Sequence, residues 1–168
     1  MKRSDLIRRE VRRKLRSFAA LRMTVNIEPA TLRDVDAIHR LEKAAFPSPW
    51  RREFFESELH STGRLNLVAR RGATLVGYVF AMWFFDEMHV NKIAVTENER
   101  RRGIALALMN ACESFAREHA VKSISLEVRE SNDGAIGFYK RLGFESLYVR
   151  PRYYPDGEAA VVMMREVA

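Results

Sequence analysis

The chain has 168 residues, 47% hydrophobic and 30% charged, which is enough for one domain with a real core and too little for two. Its most apolar window, Leu75 to Phe85, is strand-sized and far short of the ~20 residues that a membrane helix needs. The formal net charge of +7 suggests a nucleic-acid binder only until it is located: residues 1–22 hold nine Lys/Arg against two Asp/Glu, and the remainder holds 20 of each sign.

The charge count separates a basic arm, residues 1–22, from a neutral domain, residues 23–168. In the arm Ile7, Val11, Leu15 and Phe18 recur at helical spacing among arginines, the pattern of an amphipathic helix that touches RNA or an acidic membrane surface. Two plainer readings compete with it: a solvated tail, and upstream sequence translated from a misplaced start codon, with Met23 opening the fold. A single cysteine, Cys112, forms no internal disulfide and points to a reducing cytoplasm. A monomer is expected.

Val25 to Glu28 reads as a first strand. Thr31 caps a helix through Ala45, with Asp34 at the capping-box position and Ile38, Leu41 and Ala45 on its apolar face. Pro47-Ser-Pro49 stops it, and Arg51 to His60 forms a second short helix ended by Gly63. Leu65 to Arg70 and Thr74 to Phe85 are strands joined by a hairpin turn at Arg71-Gly72-Ala73. Met88 to Thr96 is the next strand, with Val90, Lys92 and Ala94 on one face and His89, Ile93 and Val95 on the other. Arg102 to His119 is a helix with Ile104, Leu108, Cys112, Phe115 and Ala116 in one stripe. Ser123 to Val128 is a strand, Ser131 caps a helix that runs to Leu142 and stops at Gly143, and Phe144 to Val149 and Ala159 to Met164 finish a sheet. Helices alternating with strands in the middle, and hairpins at both ends, define an α/β fold with a mixed sheet.

The stretch richest in chemistry is Arg100-Arg-Arg-Gly-Ile-Ala105, directly after Lys92-Ile-Ala-Val95. A strand delivers the chain to a basic, glycine-containing turn that opens a helix. First-turn N–H groups have no intrahelical partner and carry the positive end of the helix dipole. Gly103 and Ala105 leave room for a phosphate to approach them, and the arginines add charge-assisted contacts. The Lys-Ser/Thr ending of a P-loop and the third glycine of a dinucleotide fingerprint are both absent. Read alone, the turn is either a pyrophosphate cradle or a solvated basic turn.

The run Arg101-Arg-Gly-Ile-Ala105 resembles the acyl-CoA pyrophosphate loop of the GNAT acetyltransferase superfamily. The likeness continues through Leu126-Glu-Val-Arg129, Ser131-Asn132, Ala135, Phe138-Tyr139 and Leu142-Gly-Phe144, upstream in Phe46-Pro-Ser-Pro-Trp50, and near the end in Arg152-Tyr-Tyr-Pro155. In that order the set is similar to the RimI group, the ribosomal-protein alanine N-acetyltransferases, over Asn26 to Met164. Two departures stand out: Ala105 occupies a position where the loop often has glycine, and the basic arm has no counterpart in the family pattern.

The resemblance implies a single GNAT domain: a mixed, mostly antiparallel sheet of about seven strands with four flanking helices, splayed at an acyl-CoA cleft between Met88–Thr96 and Ser123–Val128. It implies acetyl-CoA as co-substrate, held by Arg101, Arg102, Gly103, Ile104, Ala105 and Leu106 at the pyrophosphate, by Asn132, and by Ile93, Ala94 and Val95, whose backbone N–H groups polarise the thioester carbonyl. The family's general base falls on Glu127 and its general acid on Tyr139. An α-amine with a pKa of about 7.7–8.0 is mostly protonated at neutral pH, so a base is required. Burial at a strand end is expected to raise the Glu127 pKa. The competing reading pairs Glu127 with an arginine such as Arg129; for Tyr139 it is core packing, and for Asn132 a helix cap.

On the acceptor side Pro47, Trp50, Phe54, Tyr153 and Tyr154 are candidates for a peptide groove, and Glu53 and Glu87 for holding the acceptor's ammonium, Glu87 also as an alternative base. Cys112 belongs to the core stripe, and the four histidines show no metal-ligand spacing, so no metal is expected. The implied function is acetylation of the N-terminal alanine of a small-subunit ribosomal protein. The alternatives are a GNAT enzyme for another amine (a different protein N-terminus, a lysine, a small molecule) and a non-catalytic module that senses acyl-CoA and docks RNA through the arm.

Overall fold

A computed structural model describes residues 24–168, so the reading of residues 1–22 as a basic arm lies outside the described residues. The chain runs through β1 (Val25–Pro29), α1 (Val35–Ala45), α2 (Arg52–His60), β2 (Arg64–Arg71), β3 (Thr74–Phe84), β4 (Glu87–Val95), α3 (Ile104–Glu118), β5 (Ser123–Arg129), α4 (Asp133–Arg141), β6 (Glu145–Arg150) and β7 (Ala160–Glu166). The seven strands form one sheet in the order β1-β2-β3-β4-β5-β7-β6, antiparallel throughout except for the parallel pair β4–β5. The expected mixed, mostly antiparallel sheet with four helices is what the chain adopts. No helix among the described residues is long and apolar enough to cross a membrane.

The helices divide between the two faces. Val35, Ile38 and Leu41 of α1 and Phe55 of α2 bury against Val68, Tyr78 and Phe80; Phe55 meets the two rings edge-on at 5.9 and 5.3 Å. On the other face Ile104, Leu108, Cys112 and Ala116 of α3 pack with Leu67, Ala69, Val79 and Ala81, and Tyr139 of α4 joins the same cluster. Period-two alternation along β2 and β3 supplies both cores from the same strands. Cys112 is fully buried there, and burial pushes its thiol up to about 12, as a packed rather than reactive cysteine requires.

One local irregularity shapes the site. Phe80 pairs with Lys92 but Ala81 pairs with Val90, so Asn91 is an extra residue on β4, a β-bulge. The bulge reverses the alternation beyond it. Met88 and Val90 belong to the α3 core before it, and Ile93 and Val95 pack against that same core after it, while Ala94 belongs to the α1 core. The grouping of Val90 with Lys92 and Ala94 on one face is therefore corrected: a strict period of two fails wherever a residue is inserted. Pairing of β4 with β5 spans only Glu87–Val90 against Ser123–Leu126 and ends at the bulge. Beyond it the two strands separate, which opens the expected splay.

Helix starts differ from the simplest reading. The Thr31 N–H and hydroxyl both donate to Asp34 (2.8 and 3.0 Å), so Thr31 caps a 3₁₀ turn, Leu32–Asp34, from which α1 follows. The α4 cap is Asn132 rather than Ser131: Asn132 Oδ1 accepts from the Ala135 N–H at 3.1 Å, whereas the Ser131 N–H and hydroxyl donate to Glu158.

Candidate active site

The N-terminus of α3 sits on a close contact. A Cβ on Gly77 of β3 would lie 3.0 Å from the Ala94 carbonyl and 3.2 Å from Ile104 Cγ2, so only glycine lets the first turn of α3 settle onto the sheet. Gly103 caps the helix at φ +81°, and Arg101 also has positive φ, so the turn curls tightly into the helix. The space beside Gly103 is open, and the N–H groups of Ile104, Ala105 and Leu106 lack intrahelical acceptors. Glu99 holds the turn from below, taking a bidentate hydrogen bond from Arg71 (2.9 and 3.2 Å) and an ion pair from Arg102 at 3.5 Å. Arg100, Arg101 and Arg102 are exposed around this turn, whose first-turn N–H groups make it a candidate anion cradle.

Where β4 leaves β5 a cleft of about 690 Å³ opens. Tyr139 reaches it from the α3–α4 face, and Glu127, on alternate positions to buried Leu126 and Val128, from the α1–α2 face. The break in the sheet thus lets a buried phenol and a carboxylate from opposite faces line one space. Ile93 and Asn132 also line it, as do Trp50 and Phe54 on one wall and Tyr153 and Tyr154 on the other. Ala94, Val95 and the cradle residues lie beyond its lining. Glu87 is exposed at the opposite, paired end of β4, and Glu53 is exposed on α2; neither lines the cleft.

Glu127 is held from two sides. His89 Nε2 lies 2.7 Å from Oε2, and Arg150 Nη1 lies 3.2 Å from Oε1. Burial raises the carboxyl pKa, but the hydrogen bond from His89 and the positive charges of His89 and Arg150 outweigh it, so the pKa is lowered. This corrects the expectation that burial raises the Glu127 pKa: its charged partners reverse the direction. The suggested partner Arg129 is engaged elsewhere, with Asp156 and Glu158 at 2.7 and 2.6 Å and its guanidinium over the Tyr154 ring. Tyr139, almost fully buried against Phe138 and Phe144, has its phenol pKa raised, first by burial and then by Tyr154 and Cys112.

Sequence reasoning missed the support of the cleft wall that carries Trp50. Glu42 of α1 is 0% exposed, and its carboxylate accepts from the Trp50 N–H (2.8 Å), Lys92 Nζ (2.9 Å) and the Tyr78 hydroxyl. Lys92 Nζ also lies 3.9 Å from the Phe46 ring centroid. The cluster ties the Phe46–Trp50 segment to β4. A glutamate in the last turns of an amphipathic helix reads as solvated; only the bulge, which turns Lys92 toward α1, reveals its partner. His89, next to Glu127, was likewise read only as a strand residue.

The family model for the acetyltransferase (GNAT) family matches residues 35–144. An N-alpha-acetyltransferase of Sulfurisphaera tokodaii is 36% identical over 150 residues, covering 82% of this chain and 90% of that protein. The chain therefore belongs to the GNAT family, and it is an acetyl-CoA-dependent N-acetyltransferase. Among solved structures it is similar to the ribosomal-protein-S18-alanine N-acetyltransferase of Escherichia coli (TM-score 0.81, 28% identity, 86% of this chain and 95% of that one). It is also similar to Ard1 of Thermoplasma volcanium (TM-score 0.82, 29% identity, 86% and 98%).

Proposed function

We propose that the enzyme acetylates the α-amine of protein N-termini, with the N-terminal alanine of a small-subunit ribosomal protein as its acceptor, Glu127 as general base and Tyr139 as general acid. The observation that carries this reading is the split sheet, which gives a carboxylate and a buried phenol, from opposite faces, one shared cleft. The relatives named for N-terminal and alanine acetylation support the acceptor class.

Acetyl-CoA supplies an activated acetyl thioester. The cradle fits its pyrophosphate by the test of space: a side chain at Gly103 meets no protein atom, and free N–H groups border the opening. Arg101 and Arg102 would add charge there, and Asn132, its Oδ1 committed to the helix cap, retains its amide N–H groups for the same ligand. Glu127, ionised at working pH, takes the proton that leaves the acceptor's ammonium and so frees the nitrogen lone pair. Tyr139 keeps its proton at any working pH, because its pKa is raised, and is poised to donate it to the departing thiolate. Trp50 and Phe54 opposite Tyr153 and Tyr154 present apolar walls for the first residues of a peptide.

The test is acetyl-CoA consumption, with mass spectrometry of the products, across short peptides that differ in their first residue, alongside an N-blocked lysine peptide and spermidine. Acetylation of the α-amine led by Ala-first peptides is expected. Acetylation of only the lysine or spermidine would retire the N-terminal reading. Acetyl-CoA binding without turnover on any of these acceptors would retire all of them as substrates and leave an acceptor outside the panel or a sensing module.

A further inference from the structure

The charged and titratable side chains that line the cleft beside the phenols are Arg51, His89, Lys92, Glu127 and Arg129. All but one are matched within the protein. Lys92 is paired with buried Glu42, Glu127 with His89 and Arg150, and Arg129 with both Asp156 and Glu158. Arg51 is the exception: it is exposed, and among the described residues its guanidinium makes no ion pair and no hydrogen bond. The nearby acids are taken by its neighbour, since Arg52 holds Asp36 at 2.8 Å and Glu56 at 2.5 Å; Glu53, exposed on α2, pairs with neither arginine. The backbone that carries Arg51 is pinned on both sides. The Trp50 N–H donates to Glu42 at 2.8 Å, and the Arg51 carbonyl, at the N-cap of α2, accepts from the Phe54 N–H at 3.0 Å. An unpartnered guanidinium therefore starts from a fixed point on the wall that Trp50 and Phe54 form.

We propose, on the reading of the enzyme as an N-terminal acetyltransferase, that Arg51 is a specificity-determining residue that selects acceptors with an Asp or Glu side chain shortly after the first residue. The acceptor's amine goes in toward Glu127, so the residues behind it run outward along the walls, at about 3.3–3.6 Å per extended residue. A carboxylate on one of them meets the free N–H fork of Arg51, which matches its two oxygens with parallel donors. The opposite wall offers that carboxylate nothing: Arg129 is bracketed by two carboxylates and lies over the Tyr154 ring. Lys92 is equally spent, its side chain 15% exposed and bound to Glu42. A lysine or arginine at the same place in the acceptor faces a like charge and is disfavoured. In this role Arg51 touches no reacting atom; it acts on the choice and capture of the acceptor and leaves the chemical step alone. Because the guanidinium is exposed, the preference has the size of an exposed ion pair, about fivefold in kcat/KM.

The experiment uses Ala-first peptides, otherwise neutral, with Asp placed in turn at the second, third and fourth residue, each beside its Asn counterpart. The readout is the Asp-to-Asn ratio of kcat/KM, taken at low salt and again at about 0.5 M, where exposed charges are screened. It is measured for the unaltered protein, Arg51→Gln, Arg51→Glu and Arg152→Gln, and as a ratio it cancels any general loss of activity in a variant. The unaltered protein is expected to favour Asp about fivefold at one of the three positions, through KM, with the ratio falling toward one at high salt. Arg51→Gln is expected to bring the ratio to about one, and Arg51→Glu to invert it and to favour Lys over Gln at the same position. Arg152, exposed but outside the cleft lining, is the control, and Arg152→Gln is expected to keep the preference. A ratio near one at every position in the unaltered protein, an undiminished ratio in Arg51→Gln, or a loss confined to Arg152→Gln overturns the proposal. Peptides that gain no acetyl group on the α-amine sink the N-terminal reading and the proposal with it, whereas α-amine acetylation with a flat ratio sinks only the role of Arg51.

Discussion

The proposed cofactor and acceptor halves of the site are built by opposite strategies. The cofactor half is contiguous: a strand end, a turn with two residues at positive φ, and the free N–H groups of the next helix, all within Ile93 to Leu106. The acceptor half is assembled from far apart: Trp50, Tyr78 and Lys92 converge on the buried carboxylate of Glu42, and Tyr153 and Tyr154 arrive from the other end of the chain. The first half is backbone chemistry, set by the turn and the start of the helix. The second is a buried ionic cluster that fails as a unit.

The largest expected effect is on the chemistry that both halves serve. Glu127→Gln should lower kcat by about 10²- to 10⁴-fold with acetyl-CoA affinity unchanged, measured by steady-state kinetics and calorimetry. Next comes the acceptor half. Glu42→Ala leaves Lys92 unpaired and takes an acceptor from both the Trp50 N–H and the Tyr78 hydroxyl, and should destabilise the fold by about 3–5 kcal/mol in urea unfolding. In the cofactor half Gly77→Ala should cost about 1–3 kcal/mol, because its Cβ meets backbone at 3.0 Å and displaces the start of α3. It should raise the KM for acetyl-CoA and leave that for the peptide, the converse of Glu42→Ala, and a uniform loss in both would erase the division.

The smallest effect concerns the acid limit of stability. Burial raises the Asp34 pKa, but the Thr31 N–H, Arg70 and the Thr31 hydroxyl outweigh it and hold the carboxyl below its ordinary value. A folded pKa below the unfolded one means that the stabilisation is present above about pH 4 and is lost as pH falls through the folded value. Asp34→Asn should therefore cost about 1 kcal/mol at pH 7 and progressively less below pH 4, followed by thermal melts across that range.

The same division decided what the sequence made legible. The strands, helices and basic turn follow from local period and punctuation, and Arg101 to Leu106 lies at a helix start as its spacing implies. The bulge at Asn91 carries no local mark, so strict alternation puts Val90 on the face of Lys92 and Ala94 and leaves the Lys92–Glu42 pair invisible in the sequence. The lowered pKa of Glu127 depends on His89 and Arg150, 38 and 23 residues away along the chain, and no spacing rule connects the three.

The bulge has one more consequence. Because β4 and β5 share only four paired positions, the sheet is mechanically two sheets, β1 to β4 and β5 to β6, riveted at Glu87–Val90. Past the rivet the two strands no longer pair with each other, so the sheet has an interior edge in the middle of the molecule, where most proteins keep such edges at the outside.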